Sequence, residues 1–313
     1  MPPSSESKFR YYAATWLAER TQFDVLNAQG KANRLLSFYH VRASEERESA
    51  RVVLWKEYLM AGDGKFVLDL FLDSGAYSAF TKGVTISLDE YIMFVHEHKA
   101  LLTTYANLDV IGDPDATWQN QLEMERQGLQ PLPCFHYGED RAWLKKYMDR
   151  YPYFALGGMV PISTSQLIPW LDSLMKTLCD GNGRPVRQFH GFGLTALDLL
   201  LRYPWYSVDS TSWVVAGRFG SIYLWVNGKI DPIAVSDKSS SQQVVGRHIS
   251  TLSVAERKVV LAEIERRGFT LEQLASHYVK RDEWNIRFFC ELEDRLQGDR
   301  RFVPGAGVRD FFA

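Results

Sequence analysis

Five short segments of this chain carry chemically capable residues at the ends of apolar runs. They are Leu72-Asp73-Ser74-Gly75-Ala76-Tyr77 (continuing to Phe80), Tyr105-Ala106-Asn107-Leu108-Asp109, Ala155-Leu156-Gly157-Gly158-Met159-Val160, His190-Gly191-Phe192-Gly193 and Tyr206-Ser207-Val208-Asp209-Ser210-Thr211-Ser212. A carboxylate directly after an apolar strand either caps the next helix or points into a pocket. Taken singly, Asp73 and Asp209 each keep a helix cap or turn as a substantial but lesser reading. Three such aspartates beside two glycine-rich strand ends make coincident capping the weaker account. A carboxylate is a competent nucleophile toward an anomeric carbon, whose transition state resembles an oxocarbenium ion. A second carboxylate can move protons on the departing or arriving group. A third can accept hydrogen bonds from the edge of a purine-like base. Gly157 and Gly158 let backbone amides approach a flat ligand closely, and Tyr77 could stack on its face. This is the chemistry of a nucleobase pocket.

The elements that must hold these residues follow a repeated pattern. Apolar runs at 35–41, 66–72, 105–110, 132–137, 154–160, 188–193 and 206–208 are separated by stretches of helical spacing such as 88–102, 139–151 and 165–178. Alternating strand and helix implies parallel strands with helices outside. The chemically capable residues sit at strand C-terminal ends in at least six successive units. A closed barrel gathers such ends around one mouth, whereas an open doubly wound sheet gathers ligands mainly at one switch point. The expected fold class is therefore α/β, a (β/α)8 TIM-like barrel, with the eighth strand sought in 221–226. The pattern leaves closure of the ring open. The expected organisation is an N-terminal arm and first helix over 1–30, the barrel over 31–246 and a C-terminal helical region over 247–313. Within the last, 253–267 and 270–279 read as two helices joined at Gly268, spaced loosely like a helix-turn-helix but more often a simple packing unit. Residues 1–10 read as a disordered arm.

Bulk properties exclude some classes. The 313 residues are 46% hydrophobic and 24% charged, ordinary for a globular protein. No apolar run approaches the roughly 20 residues that span a bilayer, and no signal peptide is evident, so a cytoplasmic location without membrane contact is expected. Three dispersed cysteines, Cys134, Cys179 and Cys290, argue against a disulfide framework. No CxxC pair suggests a zinc site, so no metal and no cofactor are expected. A net charge of −2 excludes a polycation that coats nucleic acid, but not a local basic groove. The abundant aromatic residues read first as core filling.

The five motifs, in this order, resemble the tRNA-guanine transglycosylases. They are more similar still to relatives that insert 7-deazaguanines into DNA, found in phages and bacterial modification islands. The resemblance runs from about Leu35 to Trp213. It implies that Asp209 is the nucleophile attacking C1′ of a target guanosine, and that Asp73 is the acid/base residue that takes a proton from the incoming deazapurine. It implies further that Asp109 reads the base's amine edge, that Gly157 and Gly158 donate to its carbonyl, and that Tyr77 stacks on it. Ser74, Gly75, His136, His190 and Gly193 complete the expected base-binding set. The partners implied are DNA and a free 7-deazaguanine base such as preQ0, with accessory DNA-opening proteins an added possibility, and the host cytoplasm as location if the chain is phage-encoded. A target guanine must leave the stack to reach a barrel-mouth nucleophile.

Several positions depart from the tRNA enzymes. Ser78 stands where they carry Gln, His136 and Tyr137 where a Gln-Gly pair is usual, and His190 where an apolar residue lies against the base. Their Cys-rich zinc subdomain has no counterpart, since no CxCxxC occurs. These departures favour DNA over tRNA. A tRNA enzyme without its zinc module is the alternative reading. A barrel glycoside hydrolase using Asp73 and Asp209, and a nucleic-acid-binding relative without catalysis, stand behind it. His136 and His190 read as base or phosphate contacts, or equally as orienting groups. His96 and His98, two apart on a helix, face different ways and make no metal pair. Arg202, Arg218 and Lys229 are candidate phosphate contacts, although each also reads as an ordinary solvated side chain.

Overall fold

Short parallel strands alternating with outer helices are the frame that places the candidate residues. The computed structural model describes residues 8–14, 25, 26, 28, 33–45, 69–226 and 229–305. The strands are β1 (Arg10–Ala14), β2 (Asn33–Ser37), β3 (Leu70–Asp73), β4 (Thr104–Tyr105), β5 (Cys134–His136), β6 (Tyr153–Gly157), β7 (Gln188–Gly191) and β8 (Ser207–Ser210). Their order, β4-β3-β2-β1-β8-β7-β6-β5, is that of a β/α barrel cut between β4 and β5. The cut itself is bridged. Ala106 pairs in parallel with Leu132, the Asn107 amide donates to Leu132 O at 2.9 Å, and the Leu132 amide donates to Tyr105 O at 2.8 Å. The fold is an α/β TIM-like barrel.

Helices α1 (Phe38–Glu45), α2 (Ala76–Thr81), α3 (Leu88–His98), α4 (Pro114–Arg126), α5 (Arg141–Arg150), α6 (Thr164–Leu178), α7 (Leu197–Arg202) and α8 (Ser212–Arg218) follow the strands. Local sequence starts several of them. The side chains of Ser87, Asp113 and Asp140 accept backbone N–H bonds at the N-caps of α3, α4 and α5, and Pro114 opens α4 where no donor is needed.

Alternation along the strands sorts the side chains into two cores. Tyr12, Ala14, Leu35, Phe71, Ala106, Leu132, Cys134 and Ala155 fill the barrel interior. Their neighbours Tyr11, Ala13, Phe135, Phe154, Leu156, Phe189 and Val208 pack outward beneath the helices. Leu36, Leu70 and Leu72 do the same on the β2–β3 side. The same two-residue period therefore puts Asp73, His136, Gly157, His190 and Asp209 on the inner face towards the strands' C-terminal ends, with Ser207 on the same face at the start of β8.

Two expectations are corrected. The eighth barrel strand is not 221–226 but β1, within the segment read as an arm. Arg10 pairs through Nε with Asp69 at 3.0 Å, and the Tyr12 hydroxyl donates to Asp69 at 2.8 Å, so polar anchors stabilise a strand that follows a polar leader. The remainder of the expected arm, residues 1–7, and most of the expected first helix, residues 15–24, 27, 29 and 30, lie outside the described residues, as does the start of the run at 66–68. The expected strand 35–41 is half helix. Strand β2 ends at Ser37, and Phe38 and Val41, one helical turn apart, bury one face of α1.

Segment Ser221–Val226 (β9) instead forms an antiparallel hairpin with Lys229–Ala234 (β10). Helices α9 (Val254–Arg266), α10 (Leu271–Ser276) and α11 (Tyr278–Arg295) follow. Capping boxes at Ser253 and Thr270 start the first two, close to the expected boundaries, and Gly268 turns between them at φ 78°. Ile222, Leu224 and Ile233 of the hairpin share a core with Val260, Ile264, Leu274 and Trp284 of these helices. The helical pair is thus a packing unit on the hairpin. Asn285 of α11, fully buried, accepts from the Tyr223 amide at 2.9 Å and donates to the carbonyls of Trp213 and Ser221 at 3.0 and 3.2 Å. One side chain thereby ties α8, β9 and α11 together. Among the described residues no helix is long and apolar enough to cross a membrane.

Candidate active site

Asp73 ends β3 on the inner face, opposite Ser37 of β2. The chain turns at once through Gly75 at φ 76°, whose amide donates back to Asp73 Oδ2 at 3.1 Å. A Cβ at Gly75 would lie 2.5 Å from both Ser37 Oγ and Tyr39 Cβ, so the turn needs glycine twice over, for conformation and for space. Burial pushes the Asp73 carboxyl up to about 7, helped by the charges of Asp209 and Asp109 and opposed by the Gly75 amide. Those three aspartates are therefore electrostatic neighbours around one mouth.

Asp209 sits in β8, beside Tyr12 of β1. Its Oδ1 accepts from the Gly193 amide at 2.8 Å and from His190 Nε2 at 3.2 Å. Gly193, like Gly75, is left-handed, with φ 63°. Two glycine turns thus each aim one amide at one carboxylate. His190 is fully buried, its ring against Phe71, Phe192 and Tyr12 at 4.8, 4.6 and 6.0 Å. Burial lowers its pKa, so the ring is neutral near pH 7. With Nε2 donating to Asp209, Nδ1 accepts from Ser207 Oγ at 2.8 Å, which in turn accepts from the Tyr153 hydroxyl at 2.7 Å. His190 thus holds Asp209 from below and is not free to meet a base or phosphate.

Asp109 lies in the loop after β4. His136 Nε2 is 3.1 Å from its Oδ2, while Oδ1 is buried without a hydrogen-bond partner. Glu139 takes the rest of His136, with Oε1 at 2.9 Å from Nδ1 and Oε2 accepting the backbone amide at 3.0 Å. Burial opposes charge on this imidazole, but Cys134 and Asp109 outweigh it and hold its pKa well above the ordinary value.

Gly157 and Gly158 end β6 next to His136 and Tyr137. A Cβ on Gly157 would come within 2.6 Å of Cys134 Sγ, and one on Gly158 within 3.0 Å of the Tyr137 amide nitrogen. The packing of β5 alone thus demands both glycines, whether or not a ligand approaches them. Ser74 is buried, and Tyr77 on α2 is 46% exposed. No hydrogen bond among the described residues joins either to the aspartates.

Two of the three candidate phosphate contacts, Arg202 and Arg218, are corrected. Outer helices run back toward the strands' N-terminal ends, so Arg202 and Arg218, closing α7 and α8, face the rim opposite the aspartates. Arg202 is engaged in a paired contact with Asp172, at 3.1 Å from Nε and 2.8 Å from Nη2. The Lys229 side chain lies outside the described residues.

One grouping escaped the sequence reading. Asp109, Cys134 and His136 each direct a potential ligand atom to within 4.8 Å of the other two. The available signal was Cys-x-His on a strand, since residues two apart share a face.

No family model matches the chain. No curated protein matches it either. Among solved structures it is similar to the carboxyl transferase domain from Rhizobium etli pyruvate carboxylase with pyruvate, at 12% identity and a TM-score of 0.42. The match covers 98% of this chain and 52% of that one, so this chain spans about half the length of the structure it matches.

Proposed function

We propose that this protein is a base-exchange transglycosylase that replaces guanine in DNA with a 7-deazaguanine through a covalent Asp209–C1′ intermediate. The observation that carries the reading is the pairing of two differently treated carboxylates. Asp209 is fixed by two donors, while burial leaves Asp73 about evenly protonated at neutral pH. An acid/base group works best with its pKa near the working pH. Asp209 Oδ2 attacks C1′ as the C1′–N9 bond breaks, its electron pair goes to the base, and protonated Asp73 supplies the base's proton. The ionised Asp73 then takes the proton of the incoming deazapurine, whose nitrogen displaces Asp209. Two displacements give retention at C1′.

Asp109, with one unpartnered oxygen, suits the amine edge of the base. His190, which holds Asp209, packs against Phe71 and Phe192, so the support behind that carboxylate is apolar. No step requires a cofactor. DNA is favoured over tRNA because the sequence has no CxCxxC segment, part of the zinc region with which the tRNA enzymes help to hold their substrate.

The test is transfer of radiolabelled guanine or 7-deazaguanine into DNA and, in parallel, into tRNA, with Asp209→Ala and Asp73→Ala as controls. Label entering DNA and lost in both variants supports the proposal. Label entering tRNA alone would move the substrate, and transfer to neither polymer would remove the function.

A further inference from the structure

Beside the proposed carboxylate pair, the barrel interior holds a second constellation, of which the proposed exchange uses only Asp109. Cys134 and His136 occupy alternate positions of β5, so both face inward. Asp109 follows β4, the strand joined to β5 by the Ala106–Leu132 bridge that closes the ring. We propose that Asp109, Cys134 and His136 form a mononuclear site for a borderline-soft divalent cation, best matched by Zn2+, through Oδ2, Sγ and Nε2.

Four observations support the site. The ligand atoms all lie within 4.8 Å of one another, and Nε2 is 3.1 Å from Oδ2. Zinc bond lengths of about 2.0–2.3 Å in a tetrahedral arrangement place ligand atoms roughly 3.3–3.6 Å apart, so only small side-chain shifts are needed. Secondly, Glu139 Oε1 lies 2.9 Å from His136 Nδ1, which directs Nε2 inward as an acceptor for a metal. This is the carboxylate–histidine arrangement that orients and strengthens imidazole ligands. Thirdly, Asp109 Oδ1 is a buried acceptor without a partner, in a corner where two carboxylates flank a single imidazole. A dication balances that charge. Fourthly, Gly157 keeps open the space beside Sγ, which any larger residue would fill.

A thiolate, an imidazole and a carboxylate together select zinc, cobalt or nickel over magnesium or calcium, which prefer oxygen ligands alone. Three protein ligands leave at least one position for water or a substrate atom. The site shares Asp109 with the proposed base-binding set, offering Oδ2 where the base would meet Oδ1, and the two readings are tested separately. Metal bound without label transfer would keep the site and remove the function, and transfer without metal would do the reverse.

The test is Co2+ titration of the purified, metal-stripped full chain, followed by competition with Zn2+. One equivalent of cobalt should produce a near-ultraviolet thiolate-to-cobalt band and visible bands of tetrahedral intensity, all displaced by Zn2+. Cys134→Ser should abolish the thiolate band, whereas Cys179→Ser and Cys290→Ser should leave it. His136→Ala and Asp109→Asn should each weaken affinity at least tenfold. Asp109→Asn changes only a loop side chain, so it still decides the matter if the Cys134 variant fails to fold. No thiolate band in the unmodified chain would overturn the proposal. So would a band that survives Cys134→Ser, or an affinity unchanged in Asp109→Asn.

Discussion

Asp73→Asn should stabilise the protein at alkaline pH while greatly slowing the proposed exchange. The Asp73 carboxyl is raised from 3.8 to about 7 in the folded chain, chiefly by burial and then by the charges of Asp209 and Asp109. Below about pH 4 both folded and unfolded chains carry the proton, and the group contributes no pH dependence. Between about 4 and 7 the folded chain retains a proton that the unfolded chain has lost, so stability falls as pH rises. Above 7 the cost is constant. Three pKa units at about 1.4 kcal/mol each set a ceiling of about 4 kcal/mol. Asp73 is only half-buried, and residual water contact brings the working figure to about 2 kcal/mol. With an unfolding entropy of about 2.1 cal/mol/K per residue over 313 residues, this corresponds to about 3 °C in Tm.

Asparagine keeps an oxygen for the Gly75 amide but carries no charge. The assay is a thermal melt series from pH 4 to 8.5 on both proteins. The variant should melt about 3 °C higher at pH 8, with the difference vanishing near pH 4, and its exchange rate should fall by about 10²–10⁴. A difference that stays flat across the series, or a variant that melts lower at pH 8, would refute the electrostatic account of Asp73.

His190 gives a slope of the opposite sign. Its folded pKa is depressed by burial, so stability is present above about 6.5 and lost as pH falls, and His190→Ala should remove that dependence at a cost of about 2–4 kcal/mol by urea denaturation. Gly157→Ala forces a methyl to within 2.6 Å of Cys134 Sγ and should cost about 1–3 kcal/mol in the same measurement, whatever ligand is present. Asn285→Ala strands three backbone groups, two of them buried and one partly so, and should lower stability by about 2–4 kcal/mol while leaving label transfer per folded molecule unchanged.

Seven of the eight barrel strands were legible as apolar runs, because buried parallel strands are hydrophobic on both faces. The eighth, β1, was hidden because Tyr11 and Tyr12 follow a polar leader and because its stability comes from distant partners. Asp69 and β8 are not visible from the local pattern. Segment 221–226 has the same apolar character as a barrel strand, and only its antiparallel partner distinguishes it. In the site, the strand-end aspartates were found by position, whereas Gly75 and Gly193 were expected only to bind the base, and their role as turns that aim amides at Asp73 and Asp209 is visible only in the fold. The choice between the two readings of His190, contact or orienting group, was not legible, since burial beneath Asp209 depends on the packing of Phe71, Phe192 and Tyr12. The apposition of Asp109 with Cys134 and His136 was equally hidden, because it is made by ring closure and not by spacing along the chain.

The anchoring of β1 also bears on how the protein must fold during synthesis. The Arg10 amide donates to Tyr206 O at 3.1 Å, and the Tyr11 amide donates to Glu293 Oε2 at 3.0 Å across 282 residues. Asn33 Nδ2 reaches the same carboxylate. Because β1 precedes β8 and α11 in the chain, it waits for both before its edge is covered. Until then its unpaired backbone offers a template for another nascent chain. Slow closure and early aggregation would share one cause, the long sequence separation of the contacts that seal the ring.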